Sequence, residues 1–240
     1  MSEYCYGYHS VLALLRTSPH LITELRILSN AQEGRLDEIK NLAKENKISI
    51  HAVSRQELDK LLSGQHQGII AICSAFPAYT EHDLPLLLPK DDPNILVLVL
   101  DGVQDPHNLG ACLRTANAFG VNAVIVPKDR AVGLTPAVRK VACGAAEATP
   151  FVSVTNLART LEFLKEENIW LVGMDADAPQ NLHEINLKGR TALVLGAEGS
   201  GLRRLTKEHC DFLAKIPMQG SVSSLNVSVA CGVGLYEIRR

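Results

Sequence analysis

The stretch that decides the fold runs from Ile95 to Thr115 and reads "ILVLVLDGVQDPHNLGACLRT". Its first six residues form an unbroken apolar run, which is typical of a central strand covered on both faces. Pro106, Asn108 and Gly110 then mark a turn into a helix, on which Arg114 lies about one and a half turns from the start. The stretch therefore predicts a buried strand, a polar loop and a helix, the repeating unit of an α/β protein.

The same alternation of strands and helices continues to the end of the chain. Further strands are predicted at Ala123 to Val126, Phe151 to Val154, Ile169 to Gly173, Ala192 to Leu195 and Phe212 to Ile216. Helices are predicted at Ala111 to Phe119, Pro136 to Ala142, Asn156 to Glu166, Leu202 to Lys207 and Leu225 to Arg239. Because helices and strands alternate, we expect an α/β fold with a mostly parallel sheet and flanking helices.

The first part of the chain shows a shorter alternation. Helices are predicted at His9 to Arg16, Arg35 to Asn46 and Gln56 to Leu62, and strands at Ile22 to Leu28, Ile48 to Val53 and Gly68 to Cys73. Prolines at positions 77, 85, 89 and 93 follow, and proline disfavours both helices and inner strands. We expect a small α/β domain over residues 1–75, a semi-rigid linker over 76–93 and a larger domain over 94–240. A chain of 240 residues is also compatible with a single large domain, and this alternative stays open.

Composition restricts the class of protein. With 46% hydrophobic and 21% charged residues, the chain can bury a sizeable core. It has no apolar run of the ~18 residues needed to cross a bilayer. Its first twenty residues also lack the succession of basic, apolar and small residues that forms a secretory signal, so we expect a cytoplasmic protein without a membrane partner. Its six cysteines include no Cys-x-x-Cys pair, which favours buried free thiols over disulfides or a zinc site. We expect no bound metal.

The net charge of −2 argues against binding of nucleic acid through bulk electrostatics, because proteins of that kind commonly carry a basic excess. Any basic face must therefore be local. The candidates for it are Lys128, Arg130, Arg139, Lys140, Arg203, Arg204 and Lys207.

Two more loops follow predicted strands, and ligands of open α/β sheets bind beyond the carboxyl ends of the strands. "LGAEGSGL" (195–202) has the glycine order G-x-x-G-x-G rather than the dinucleotide order G-x-G-x-x-G, and it carries a carboxylate that would repel a pyrophosphate. "IPMQGSVSSLNVS" (216–228) crowds hydroxyls and an amide beside apolar residues, which suits a pocket for a flat ring with a polar tail.

Each of these polar residues also has an ordinary structural explanation. Asn108 alone would cap a helix, and Ser223 or Ser224 would cap another. Arg114 alone would be a solvated surface charge. Glu198 alone would favour the amino end of the helix predicted from Leu202, an effect of about 0.3–1 kcal/mol. These explanations do not account for the number of hydroxyl side chains in the loop over 216–228, because one of them is enough to cap a helix.

Taken together, "NLGACLRT" (108–115), "LVLGAEGSGL" (193–202) and "IPMQGSVSSLNVSVA" (216–230) resemble the three signature motifs of the SpoU branch of the SPOUT RNA methyltransferases, in the same order and spacing. The resemblance extends to "YGYHSVLALL" (6–15), "HQGIIA" (66–71) and "VPKDRAVGLTPAVRKVACGAAE" (126–147). This fuller match is similar to family members that methylate a guanosine 2′-hydroxyl in 23S ribosomal RNA.

The resemblance implies a fold, a cofactor and partners. It implies S-adenosylmethionine as the methyl donor, a carboxyl-terminal trefoil knot, and a homodimer in which both subunits complete each active site. The domain over residues 1–75 would help to hold 23S ribosomal RNA. The implied donor-binding residues are Gly196, Ile216 and Leu225, and the implied catalytic residues are Arg114, Asn108, Glu198, Ser224 and Asn226. Because the donor carries a sulfonium cation and no phosphate, a carboxylate in the glycine loop is compatible with it.

The implied reaction is an in-line displacement in which a ribose 2′-hydroxyl attacks the donor methyl group. In the family that the chain resembles, the arginine at the position of Arg114 is described as activating that hydroxyl, but an arginine guanidinium stays protonated in proteins. We therefore expect it to stabilise the forming oxyanion while a phosphate or water accepts the proton.

Three other functions stay open on sequence grounds. A nicotinamide-dependent dehydrogenase is disfavoured by the glycine order and by the missing ribose-binding acid. A non-catalytic RNA-binding relative is disfavoured because the motif residues are intact. A transfer-RNA 2′-O-ribose methyltransferase shares the motifs, and the additional amino-terminal domain favours ribosomal RNA over it.

Overall fold

The computed structural model describes residues 3–30, 34, 36–62, 66–76 and 78–240 of the chain. Arg35, where a helix was predicted to begin, and Pro77, in the expected linker, lie outside the described residues. The strands of the described part are β1 (Glu3–Tyr6), β2 (Ile22–Leu28), β3 (Ser49–Val53), β4 (Ile69–Cys73), β5 (Leu96–Asp101), β6 (Ala123–Pro127), β7 (Phe151–Val154), β8 (Trp170–Met174), β9 (Gln180–Asn181), β10 (Thr191–Gly196) and β11 (Phe212–Lys215).

The helices fall close to the predicted ones, with additions. They are α1 (Tyr8–Thr17), α2 (Asp37–Glu45), α3 (Arg55–Leu61), α4 (Leu84–Leu87), α5 (Pro106–Ala118), α6 (Pro136–Ala142), α7 (Ala145–Ala148), α8 (Leu157–Glu166), α9 (Arg204–His209) and α10 (Val227–Arg239). The elements that the sequence did not predict are short: β1, β9, α4 and α7. Segments of two to four residues contain too little periodicity to be recognised.

The chain divides into two compact units that are interleaved in sequence. The first unit contains Met1–Pro77 and Leu134–Ala148, and the second contains Ala78–Gly133 and Thr149–Arg240. This division differs from the expected consecutive domains, because α6 and α7 belong to the first unit.

The first unit has a four-stranded sheet in the order β1-β4-β2-β3. Strand β4 pairs antiparallel with β1 and β2, whereas β2 and β3 are parallel. The core of this unit includes Leu14, Leu25, Ile39 and Ile69, which are fully buried.

Arg139 of α6, one candidate for a local basic face, is buried in the first unit. It is 8% exposed, its guanidinium donates a hydrogen bond to Glu147 at 3.0 Å, and it lies 3.9 Å from the centre of the Phe76 ring. Burial raises the pKa of Glu147 above its usual value, although Arg139 opposes that shift. The guanidinium therefore compensates a carboxylate that has no access to solvent.

The second unit has a seven-stranded sheet in the order β7-β6-β5-β10-β8-β11-β9, and every pairing between neighbouring strands is parallel. This confirms the predicted α/β class. All six residues of β5 are buried, and its neighbour β10 is buried from Thr191 to Leu195. The carboxyl ends of β5, β10, β8 and β11 lie along one edge of the sheet, so the loops that follow them can form one site.

The proline-rich stretch from 78 to 93 packs on the second unit, whereas the sequence predicted a linker. Leu84 and Leu88 are each 1% exposed within the core of that unit. The Tyr79 carbonyl accepts a hydrogen bond of 3.0 Å from the backbone N–H of Ser153. The Arg190 guanidinium donates a hydrogen bond of 2.6 Å to the Pro89 carbonyl. The apolar residues between the prolines therefore anchor the stretch.

All six cysteines carry free thiols, and four of them are buried. Burial raises the pKa of the Cys73 and Cys210 thiols to about 12. Among the described residues, no helix is both long and apolar enough to cross a bilayer.

Candidate active site

A cavity of about 390 Å³ opens at the carboxyl edge of the parallel sheet. It is formed by the loops that follow β8, β10 and β11 and by the first turn of α10. Its lining comprises Met174, Asp175, Ala176, Asp177, Leu195, Gly196, Ala197, Glu198, Gly199, Ser200, Gly201, Lys207, Lys215, Ile216, Met218, Ser223, Ser224, Leu225, Val227 and Ala230.

Five of the eight predicted site residues line this cavity. They include all three residues predicted to bind the donor, Gly196, Ile216 and Leu225, together with Glu198 and Ser224. The two loops that carry them are separate in sequence, and the parallel arrangement of β10, β8 and β11 brings them to one edge.

Asn226 joins the three motif loops through its side-chain amide. Its Nδ2 donates hydrogen bonds to Asn108 Oδ1 at 3.0 Å and to Glu198 Oε1 at 2.6 Å. Its Oδ1 accepts from the backbone N–H of Ser228 at 2.9 Å and from the Ser228 hydroxyl at 2.6 Å. The loops that follow β5, β10 and β11 therefore meet at one side chain.

The helix caps differ from those considered on sequence grounds. Asp105 caps α5 by accepting a hydrogen bond from the backbone N–H of Asn108 at 2.9 Å, with Pro106 as the first helical residue. The helix thus begins before Ala111, and the side chain of Asn108 is left to bind Asn226. Asn226, not Ser223 or Ser224, caps α10.

Glu198 does not serve the helix that was predicted to begin at Leu202. That helix, α9, begins at Arg204, and the carboxylate at its amino end is Asp101. Glu198 lies in the cavity lining and accepts a hydrogen bond from Asn226 instead.

Asp101 is a residue of this site that sequence reasoning did not single out. Asp101 is the last residue of β5, and its side chain is fully buried. It accepts hydrogen bonds from the Arg203 backbone N–H at 3.2 Å, from Arg203 Nε at 2.6 Å and from the Thr206 hydroxyl at 2.6 Å. A carboxylate at the end of an otherwise apolar strand was the signal that could have found it.

Asp175 and Lys207 form an ion pair within the cavity lining, and this pair was also missed. Burial alone would raise the pKa of Asp175, but the Lys207 ammonium and the backbone N–H of Asp177 outweigh it and lower the pKa below its ordinary value. Lys207 was one candidate for a local basic face, and in the structure its ammonium pairs with Asp175.

Gly196 brings two backbone segments together at the end of β10. A Cβ atom there would lie 2.1 Å from the carbonyl carbon of Gly201 and 2.3 Å from the backbone nitrogen of Leu202. The backbone N–H of Ala197 also donates a hydrogen bond of 3.2 Å to the Gly201 carbonyl. Only glycine allows this close return of the loop.

Arg114 has an exposed side chain on α5, a helix that packs along α10. It is absent from the cavity lining of this chain. Asn108 and Glu198 thus meet at Asn226, and Arg114 lies outside the cavity lining.

The loops of this site lie in a segment that matches a known family. Residues 95–236 match the SpoU rRNA Methylase family. The chain belongs to that family. Residues 4–79 match a second family, described as RNA 2′-O ribose methyltransferase substrate binding. The SpoU match includes the three loops and the cavity.

Relatives match along nearly the whole chain. The 23S rRNA (guanosine-2′-O-)-methyltransferase RlmB of Coxiella burnetii is 55% identical over 98% of this chain and 94% of that protein. The protein of the same name from Escherichia coli K12 is 53% identical over 100% of this chain and 99% of that protein.

A solved structure of the SpoU family shares the fold. The SpoU methyltransferase AviRb from Streptomyces viridochromogenes, solved in complex with the cofactor AdoMet, superposes with a TM-score of 0.81 at 22% identity. The superposition covers 99% of this chain and 89% of AviRb.

Proposed function

We propose that this chain transfers a methyl group from S-adenosylmethionine to the ribose 2′-hydroxyl of a guanosine in 23S ribosomal RNA. The observation that carries the proposal is the junction at Asn226, which binds Asn108 and Glu198 beside the cavity. Relatives with 53–55% identity over the full chain bear the name of this activity, and their names supply the RNA and the nucleotide.

The cavity fits the methyl donor in size and chemistry. Its volume of about 390 Å³ falls in the range of about 300–1,000 Å³ that small-molecule sites occupy. Apolar side chains, among them Ile216 and Leu225, would pack against the adenine ring. Carboxylates in the lining, including Glu198, suit the cationic sulfonium and ammonium groups, and Lys215 suits the carboxylate of the methionine part.

The donor supplies a methyl group on a sulfonium, which leaves as a neutral thioether. The residues of the chain then have two tasks: to align the ribose oxygen with that group, and to stabilise the charge that develops on the oxygen. Asn226 fixes the relative positions of Asn108 and Glu198. Ser224 lies in the lining, where its hydroxyl can bind the donor or the ribose.

Arg114 acts as an electrostatic catalyst in this mechanism. Its guanidinium remains protonated, so it stabilises the forming oxyanion and does not accept the proton. A water molecule or an RNA phosphate accepts the proton of the hydroxyl.

We also propose that the chain acts as a homodimer. Arg114 lies outside the cavity lining of its own chain, which supports an active site completed by Arg114 of a second copy. Val229, Val233 and Tyr236 are 50%, 40% and 58% exposed along one side of α10. Residues at this spacing form a continuous apolar stripe, which a second copy would bury.

The remaining parts of the proposal concern the two units. The match of residues 4–79 to a substrate-binding family supports RNA binding by the first unit. The match of residues 95–236 to the SpoU rRNA Methylase family supports a trefoil knot in the second unit. Because its RNA substrate is found there, we propose a cytoplasmic location.

The direct test is methyl transfer from radiolabelled S-adenosylmethionine to unmodified 23S ribosomal RNA made by transcription. We expect incorporation at a single guanosine, detected by mapping of ribose methylation. Unmodified transfer RNA is the control substrate. Incorporation into transfer RNA alone would replace the proposed substrate, and no incorporation into either would refute the proposed activity.

A further inference from the structure

The loop that follows β6, residues 128–133, carries two basic side chains beside the motif loops. Lys128 and Arg130 are both exposed. They lie at the carboxyl end of β6, which is the neighbour of β5 in the sheet. The loop therefore emerges at the same edge of the second unit as the candidate active site.

Most of the basic residues that the sequence offered as candidates for a local basic face form ion pairs with carboxylates of the same chain. Arg139 pairs with Glu147, Arg203 with Asp101, Arg204 with Glu208, and Lys207 with Asp175. Within the described residues, Lys128, Arg130 and Lys140 form no ion pair. Of these three, Lys128 and Arg130 belong to the second unit.

The backbone holds this loop against the first motif loop. The backbone N–H of Val132 donates a hydrogen bond of 3.0 Å to the Val103 carbonyl, and Gln104 Nε2 donates one of 3.4 Å to the Arg130 carbonyl. Arg130 adopts a left-handed backbone with φ 61°, which is uncommon for a residue other than glycine. These contacts fix the point from which the Arg130 side chain leaves the loop.

Gly102 connects this loop to the glycine loop of the cavity. A Cβ atom at Gly102 would lie 3.7 Å from the Arg130 carbonyl oxygen and 3.7 Å from Ala197 Cβ. Residues 130 and 197 therefore both lie close to Gly102, and Ala197 lines the cavity. An RNA strand that places a ribose at the cavity would carry its neighbouring phosphates past this loop.

We propose that Lys128 and Arg130 bind backbone phosphates of the RNA next to the target nucleotide, an inference that rests on the proposed function. Lys128 and Arg130 are both basic, and neither forms an ion pair with a carboxylate of the described residues. Asp129 lies between them in sequence, so it lowers the local charge but leaves a net positive loop. Binding of phosphates by such residues carries no sequence preference and depends on salt.

The test compares Arg130→Gln and Lys128→Gln with Arg204→Gln, by binding to unmodified 23S ribosomal RNA over a range of salt concentrations. Arg204→Gln removes the same charge from an arginine of the same unit that already pairs with Glu208. Loss of one phosphate contact should weaken binding about five- to eightfold in 0.1 M salt and reduce the slope of log K against log salt by about 0.7–0.9. Calorimetric affinity for S-adenosylmethionine should be unchanged in all three variants, which also verifies the fold.

The outcomes separate this inference from the proposed function. Equal affinities and equal salt slopes for Arg130→Gln, Lys128→Gln and Arg204→Gln would overturn the phosphate contacts, even where the unaltered chain methylates the RNA. Absence of methyl transfer by the unaltered chain would overturn the proposed function instead. A reduced slope in the two loop variants, and not in Arg204→Gln, supports the inference.

Discussion

The buried carboxylate of Asp101 accepts hydrogen bonds from both the backbone N–H and the guanidinium of Arg203, at 3.2 Å and 2.6 Å. These residues end β5 and precede α9, and the Asp101 carboxylate also binds the Thr206 hydroxyl. Asp101 thus fixes the chain where it leaves the glycine loop, so the position of the backbone that lines the cavity depends on a side chain outside the lining.

We expect Asp101→Asn to destabilise the protein by about 1–3 kcal/mol, because an amide cannot accept all three hydrogen bonds and its NH₂ group opposes other donors. Donor affinity should fall as well, since the glycine loop loses its anchor. Thermal unfolding and calorimetry measure the two effects. The control is Asp129→Asn at an exposed position, and equal stability of the two variants would contradict the role of Asp101.

Substitution of Asn226 separates helix capping from the joining of the loops. Asn226→Asp keeps the oxygen that caps α10 but places a carboxylate against Glu198 and the Asn108 carbonyl oxygen. We expect nearly normal helix content with methyl transfer reduced at least about tenfold, since misplacement of catalytic groups by about 1 Å can cost 10²-fold. The double variant N226D/E198Q restores a donor–acceptor pair, and partial recovery in a single-turnover assay is the expected result.

Arg114→Ala should retain donor binding and lose about 10²–10³-fold in the rate of methyl transfer, the usual cost of removing a group that stabilises an oxyanion. Arg114→Lys should also be slow, because an ammonium does not reproduce the fork geometry of guanidinium. Single-turnover kinetics at saturating donor measure both rates. Wild-type rates in Arg114→Ala would remove this residue from the mechanism.

Gly196→Ala should abolish donor binding. The added methyl group would lie 2.1 Å from backbone atoms of Gly201, which cannot move without opening the loop. Gly220→Ala is the matched control, because a Cβ atom at Gly220 meets no atom within 4 Å and the residue lies in the third motif loop. Calorimetric titration with S-adenosylmethionine should distinguish them, and similar affinities would be inconsistent with the tight return at Gly196.

The ion pair between Asp175 and Lys207 predicts a pH dependence. Because the pKa of Asp175 is lowered in the folded state, its contribution to stability is present above the ordinary value of 3.8 and is lost as the pH falls through the lowered pKa. In Lys207→Met, burial should dominate and raise the pKa of Asp175. Carboxyl NMR titration measures the shift, with Lys215→Met as a control that should leave this pKa lowered.

Much of the second unit could be predicted because buried parallel strands leave continuous apolar runs, as β5 and β10 do. The three loops of the site could be predicted from the sequence, but the contacts between their side chains could not. Asp101 and Arg203 are far apart in the chain, and nothing local indicates that they pair. The cap of α5 was assigned to the wrong residue because Asp105 and Asn108 are close in sequence and both are common helix caps. Pro106 marks the first helical residue and could have decided in favour of Asp105.

The interleaving of the two units limits how this protein can be cut or recombined. The segment Leu134–Ala148 fits the first unit so closely that a Cβ atom at Gly144 would lie 2.1 Å from the Cβ atom of Ala13. A fragment ending before residue 78 would lack Arg139 and Glu147, and the remainder would display the apolar residues of α6 without their cover. A fusion that replaces only the residues before 78 would therefore place α6 and α7 against side chains other than those on which they pack here, so residues 134–148 should be exchanged along with them.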